Sequence, residues 1–326
     1  MTVTETLREV TERELRRNRG CLVDCHTHVG FHAWNLIGGG YPTVQSVADL
    51  KRKMDKCSVG YSVAFPCPSD PFFYDACHFA KTHAIRPATD PVSAFPFQLQ
   101  NATMLREVSW WARDTVLPFP FVVPAVRESA QLEALRPHAE TGNVFGMKLH
   151  SRGAAAPLRL LLDSTILQFA AEFDLPMMLH TGPDAASNPF QAIELARKYP
   201  SVRFCAAHAG QLRSGFVEAV AHTKLPNLFV DCCPLAVLAA RMSGSGKHQD
   251  SRPDALLEQL YEQLGRALLW GTDEPWTSVG ATPLPDQSAS VLEGATYEQS
   301  WSTLANASPT LRRDIAHDNP VRFLFG

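Results

Sequence analysis

The chain has no apolar run approaching the roughly 18 residues a membrane-spanning helix needs. It has no basic stretch. Lys and Arg total 30 against 33 Asp and Glu, for a net charge of −3, which excludes general nucleic-acid binding. Hydrophobic residues at 45% and charged residues at 19% exclude a mostly disordered chain. The eight cysteines form no C-x-x-C pair. Cys21, Cys25, Cys205, Cys232 and Cys233 lie in or beside apolar runs, where a free thiol behaves as a small buried hydrophobe, so no disulfide framework is expected. Residues 1–20 are rich in Glu and Arg and have no apolar h-region, which predicts an exposed amphipathic lead-in helix rather than a secretory signal. The expectation is a cytoplasmic protein. In that setting the sequons at Asn101 and Asn306 carry no meaning. No phosphate loop is present. No helix pattern or Lys-Ser/Thr follows Gly38-Gly39-Gly40, and Ser243–Lys247 has neither the upstream glycine nor the following Ser/Thr.

Short apolar runs alternate with amphipathic segments. Strands are predicted at Cys21–Cys25, Gly60–Phe65, Phe119–Val123, Val144–Leu149, Pro176–Leu179, Val202–Ala207, Asn227–Cys232 and Ala267–Trp270. Helices are predicted at Val44–Lys56, Asn101–Val116, Leu158–Phe173, Phe190–Tyr199, Phe216–Thr223 and Asp254–Leu264. Trp110 and Trp111 are read as core and surface packing on their helix. Eight strands alternating with helices predict an α/β fold, a (β/α)8 TIM-like barrel. No linker or internal repeat divides residues 21–326, so a single domain is expected. Three long connections, Val29–Thr43, Pro66–Gln100 and Glu274–Gly294, each follow a strand, where loops of this fold build the catalytic face.

Several strands end in a side chain able to bind metal. In Asp24-Cys25-His26-Thr27-His28 the two histidines share one side of an extended strand, about 7 Å apart by rise. His180, His208 and Asp273 end three further strands. Strand C-termini of a barrel converge on one mouth. Imidazole nitrogens with a carboxylate and an open position suit zinc, manganese or iron(II). Such an ion lowers the pKa of bound water toward about 7, Asp273 can accept that water's proton, and His208 can stabilise charge or protonate a leaving group.

His26-x-His28, Lys148, His180, His208 and Asp273, in this order, resemble the amidohydrolase superfamily. More narrowly the chain resembles the amidohydrolase-related group of lactonases and aminocarboxymuconate-semialdehyde-type decarboxylases. The strings that carry the likeness are Val23–His28, Gly146–His150, Leu179–Gly182, Ala207–Gly210, Gly271–Pro275 and the closing Asn319–Phe325. The resemblance implies that His26, His28, His180 and Asp273 hold the metal or its water, and that His208 acts beside it as acid or base. It implies one divalent ion, zinc first, rather than two ions bridged by a carboxylated Lys148. Glu274 stands where the decarboxylases often have an aromatic residue, and His180-Thr181-Gly182 is closer to the hydrolytic members. Both favour a hydrolase of a lactone, amide or cyclic amide. The alternative is a metal-dependent non-oxidative decarboxylase of a small unsaturated or aromatic acid, and a non-catalytic binding barrel stands third.

Lys148, His150 and Arg152 are the candidate substrate-binding residues, with Arg213 as a further carboxylate grip. One of His32 and Trp34 is a candidate for the pocket, while His78 and His83 are read as a packed loop cluster, with a lid lining as the alternative. His138, His222, His248 and His317 are read as surface groups. The partner expected is a small-molecule substrate, without nucleic acid or membrane, and a homo-oligomer is compatible with the sequence.

Overall fold

The computed structural model describes residues 5–32, 43–68, 93–154, 156–244, 252–276 and 296–326. Trp34, the glycine triplet, His78, His83 and His248 lie outside the described residues, as do the side chain of His32 and most of the three long connections.

Strands β1 (Leu22–His32), β2 (Thr43–Gln45), β3 (Val59–Pro66) and β4 (Val116–Pro118) form one ladder in the order β2-β1-β3-β4. Strands β5 (Met147–Leu149), β6 (Met177–Leu179), β7 (Phe204–Ala206), β8 (Leu228–Asp231) and β9 (Leu268–Leu269) form a second in sequence order. All pairings are parallel except β1 with β2. Backbone bonds join the two ladders at both seams. Phe121 bridges Lys148, with Lys148 N–H donating to Pro120 O at 2.9 Å and Val122 N–H to Lys148 O at 2.9 Å. At the other seam Cys25 N–H donates to Trp270 O at 3.0 Å, Asp273 N–H donates to His26 O at 2.8 Å, and Thr27 bridges Glu274. The result is the expected eight-stranded parallel barrel.

Two strand predictions shift for identifiable reasons. β1 runs on to His32, seven residues beyond Cys25, because its far end pairs with β2 through Gly30↔Gln45, Phe31↔Val44 and His32↔Thr43. The run at Phe119–Val123 lies mostly past its ladder. Pro118 and Pro120 have no N–H to donate, so regular pairing stops at Pro118 and resumes as the single Phe121 bridge.

The helices that flank the barrel are α1 (Leu7–Arg17), α2 (Val47–Lys56), α3 (Gln98–Trp111), α4 (Glu128–Glu140), α5 (Thr165–Glu172), α6 (Phe190–Lys198), α7 (Phe216–Thr223), α8 (Leu235–Gly244), α9 (Pro253–Leu264), α10 (Tyr297–Asn306), α11 (Pro309–Arg313) and α12 (Asn319–Phe325). α2 shows the local logic. Ser46 and Asp49 form a capping box, and Val47, Leu50 and Met54 turn one face into the core. Residues 44–46, expected to be helical, form the end of β2 and the cap. α4 and α8 have no counterpart in the sequence prediction. α4 contains Pro137 and turns only Gln131 and Leu135 fully inward, which leaves its apolar period weak.

The bottom of the barrel is closed by aromatic side chains. Phe323 of α12 lies 5.4 Å from the Phe229 ring and 6.2 Å from the Phe119 ring, centroid to centroid. α1 docks there too. Leu15 is fully buried, and the Arg8 guanidinium donates to Phe145 O at 3.0 Å and Leu324 O at 2.6 Å. The lead-in helix is therefore a partly buried plug rather than an exposed segment. Two further readings are corrected. Trp110 and Trp111 are 69% and 64% exposed, so neither is core. His317 is buried, its Nδ1 donating to Cys21 O at 2.8 Å. Among the described residues no helix is long and apolar enough to cross a membrane.

Candidate active site and metal centre

His26 and His28 leave β1 with their rings 5.4 Å apart, both buried. His26 Nδ1 lies 2.8 Å from Asp231 Oδ2, and His28 Nδ1 lies 2.8 Å from Pro66 O. Facing acceptors, both Nδ1 atoms carry the hydrogen, which leaves each lone pair on Nε2. Both Nε2 atoms face one oxygen, Asp273 Oδ1, at 3.5 Å from His26 and 3.6 Å from His28. Asp273 reaches this position just past β9, with φ of 60° and its N–H bonded to His26 O.

The next side chains come from β5, β6 and β7. Lys148 is fully buried, its Nζ 3.4 Å from His26 Nε2 and 4.5 Å from the centre of the Phe65 ring. His208 opens a left-handed turn that runs through Ala209, Gly210 and Gln211, with φ of 63°, 46°, 62° and 51°. Such runs are costly for residues with a side chain, and they persist where surrounding contacts over-determine them. Here His208 N–H donates to Asp231 Oδ1 at 2.7 Å, and a Cβ on Gly210 would stand 2.5 Å from the Phe216 ring. His208 Nδ1 donates to Cys233 O at 2.9 Å, so its Nε2 accepts from His180 Nδ1 at 3.1 Å. His180 in turn stacks on His150, 4.1 Å between centroids and 16° between planes. Gly153 N–H donates to His150 Nδ1 at 2.9 Å.

Burial dominates the electrostatics. Loss of water holds His26, His150 and His180 well below the usual imidazole range, and the Lys148 charge pushes His26 and His150 the same way, so these rings are neutral at pH 7. Burial also lowers the Lys148 ammonium, against the pull of Asp231 and Asp273. It raises the Asp273 carboxyl well above its usual range, with Lys148 opposing.

The site opens into a cavity of about 390 Å³. His28, His150, His180, His208 and Asp273 form its polar floor, Arg152 and Gln211 lie on its wall, and Pro234, Leu238 and Trp276 give it an apolar side. Arg213 instead donates to Asn188 Oδ1 at 3.1 Å. His26, His28 and Asp273 present donor atoms within 4.8 Å of one another, as a metal site requires. His26, His208, Asp231 and Cys233 form a second such group, and among the described residues His180 belongs to neither, being tied to His208.

Sequence reasoning passed over Asp231, Asp24 and Cys233. Asp231 follows the same grammar as the other strand ends, since Leu228-Phe229-Val230 terminates in a carboxylate, so its signal was present. Asp24 accepts from His26 N–H at 3.1 Å, Thr272 N–H at 3.1 Å and Thr272 Oγ1 at 2.8 Å, and burial raises its carboxyl to about 7. Nothing in the sequence marks Cys233, whose carbonyl and thiol reach the site through the fold of the turn that follows β8.

A family model described as Amidohydrolase matches residues 23–326. The chain belongs to the amidohydrolase family. This amidohydrolase is an enzyme of the superfamily whose members bind divalent metal. No curated protein matches it. Among solved structures it is similar to a probable 2-pyrone-4,6-dicarboxylic acid hydrolase from Acinetobacter baumannii with citric acid bound, at 14% identity and a TM-score of 0.57, covering 93% of this chain and 98% of that one. It is similar to 5-carboxyvanillate decarboxylase from Sphingomonas paucimobilis at 11% identity and a TM-score of 0.59, with coverage of 93% and 98%. It is also similar to an amidohydrolase from Burkholderia multivorans with bound zinc, at 14% identity and a TM-score of 0.57, covering 93% and 99%. At these identities the likeness is one of fold.

The donor chemistry of the centre fits a divalent ion. Two neutral imidazoles have Nδ1 tied to an acceptor and Nε2 directed at one carboxylate oxygen, which is how metal-binding histidines are oriented by outer partners.

Proposed function

We propose that this amidohydrolase hydrolyses a lactone, amide or cyclic amide, using one zinc ion held by His26, His28 and Asp273, with His180 as the fourth group. The observation that carries the reading is the position of the Asp273 carboxylate. Oδ1 faces the two imidazole Nε2 atoms, and Oδ2 lies 4.0 Å from His208 Nδ1 at the cavity floor. When bound, the ion supplies an acidified water and polarises the substrate carbonyl.

The remaining work falls to the chain. Asp273, whose Oδ2 lies toward His208 at the cavity floor, accepts the attacking water's proton. The proton that Asp273 takes from the water is the one handed on to the departing oxygen or nitrogen, and His208, fixed by Cys233 O and bonded to His180 through Nε2, lies 4.0 Å from Asp273 Oδ2 to steady that transfer. Lys148 places a cation beside His26, where it attracts an anionic group of the substrate. His150 contacts substrate from the floor and Arg152 from the wall. The apolar side made by Pro234, Leu238 and Trp276 fits the carbon skeleton of a small organic substrate. This reading takes residues 21–326 as one catalytic unit behind the lead-in segment 1–20, acting in the cytoplasm.

The test is a product assay with zinc-loaded enzyme over a panel of lactones, cyclic amides and aromatic or unsaturated acids. One new acid group per turnover supports hydrolysis. Release of CO2 without a new acid group replaces this reading with the decarboxylase one.

A further inference from the structure

Two halves of the centre meet on a single carboxylate. Asp231 ends β8, is fully buried, and divides its oxygens between them. Oδ2 accepts from His26 Nδ1 at 2.8 Å, on the β1 side. Oδ1 accepts from His208 N–H at 2.7 Å, from Cys233 N–H at 3.3 Å and from the Cys233 thiol at 3.0 Å, on the β7 side. Cys233 closes the circuit, since its carbonyl accepts from His208 Nδ1 at 2.9 Å. A carboxylate needed only to satisfy the turn would be served by the backbone donors. This one turns its second oxygen, which the Cys205 thiol approaches only at 3.9 Å, to an imidazole whose other nitrogen faces Lys148 at 3.4 Å and Asp273 at 3.5 Å.

The choice of tautomer is consequential. With hydrogen on Nδ1, His26 donates to Asp231 and offers the Nε2 lone pair to the cation-bearing side of the centre. With hydrogen on Nε2, an N–H would confront the Lys148 ammonium donor to donor, and Nδ1 would set a lone pair against a carboxylate oxygen.

We propose that Asp231 is the positioning residue of this centre: it fixes His26 as the Nδ1–H tautomer and holds the left-handed turn that presents His208. Its effect on metal affinity rests on the metal-dependent reading above, whereas its control of the tautomer does not.

The experiment uses the full chain labelled with 15N and freed of metal. Long-range 1H–15N correlation at pH 7.5 reads the tautomer of His26, assigned by comparison with His26→Gln. Wild type is expected to show a single Nδ1–H form. An Nε2–H or averaged ring overturns the proposal without any variant. In Asp231→Asn the fixed form is lost, and zinc affinity, measured against a chromophoric chelator, falls about 10- to 100-fold. Asp231→Glu, which restores a carboxylate acceptor, recovers both in part. A purely structural Asp231 would lower the unfolding midpoint of Asp231→Asn and leave the tautomer intact and zinc affinity within about twofold of wild type, which overturns the proposal. A wild-type chain with the Nδ1–H form but no zinc binding or hydrolysis sinks the functional reading and leaves the tautomer assignment standing.

Discussion

Gly271 lies against His26 so closely that a Cβ on the glycine would stand 2.7 Å from His26 Cβ and 3.1 Å from its backbone nitrogen. This contact sits on the β9–β1 seam, between the Cys25–Trp270 and Asp273–His26 backbone bonds. The seam therefore sets how far His26 stands from Asp273.

Gly271→Ala forces that seam apart. We expect a loss of about 1–3 kcal/mol in stability, as for other overpacked interiors. Zinc affinity falls with it, because His26 and Asp273 separate together. Urea unfolding and chelator competition measure the two effects, and a variant unchanged in both would show that the seam relaxes freely.

Metal removal should abolish turnover, and zinc, manganese or iron(II) should restore it. His28→Ala should lose both metal and activity, since its Nε2 is one of the atoms aimed at Asp273 Oδ1. His222→Ala, on the exposed side of α7, should lose neither. Metal analysis and an activity assay on the same samples decide this. Full turnover by rigorously metal-free enzyme removes the mechanism.

Lys148→Ala should retain about one ion per chain and weaken substrate binding. Loss of a charge-assisted contact of about 1.5–3 kcal/mol corresponds to a rise of roughly 10- to 100-fold in KM for an anionic substrate. Two ions per wild-type chain, falling in the variant and restored by short carboxylates, would instead identify a carboxylated lysine bridging two metals.

His150 gives a pH dependence of defined sign. Its folded pKa is depressed, chiefly by burial and then by Lys148, while the unfolded ring titrates near 6.5. Below that value the unfolded state binds the extra proton, so stability is fully present above about pH 6.5 and falls as pH drops toward the folded pKa. At pH 5.5 the single ring costs up to about 1.4 kcal/mol. His150→Phe should lose less stability than wild type between pH 7 and 5.5 in matched urea titrations. Parallel curves would show that the ring is not held neutral.

Much of the site was legible because a parallel barrel turns sequence order into spatial convergence. His26, His28, His208 and Asp273 meet as their strand-end positions required, and Lys148 stands beside them on β5. Asp231 obeyed the same rule, but one carboxylate at the end of an apolar run looks like many others until its partners are known. The exposure of Trp110 and Trp111 and the burial of His317 were not legible, since a helical period gives a face but not what lies opposite it.

The sequence by itself determined the barrel, its eight parallel strands and the placing of metal-capable side chains at their C-terminal ends, because strand alternation and apolar runs are local properties. Only the tertiary structure decided how those side chains pair. The approach of His180 to His208, the stacking of His150 on His180, and the sharing of Asp231 between His26 and the His208 turn depend on ring rotations and left-handed backbone held by long-range hydrogen bonds. Those bonds join residues up to 205 positions apart, as between His26 and Asp231, and no local pattern encodes them.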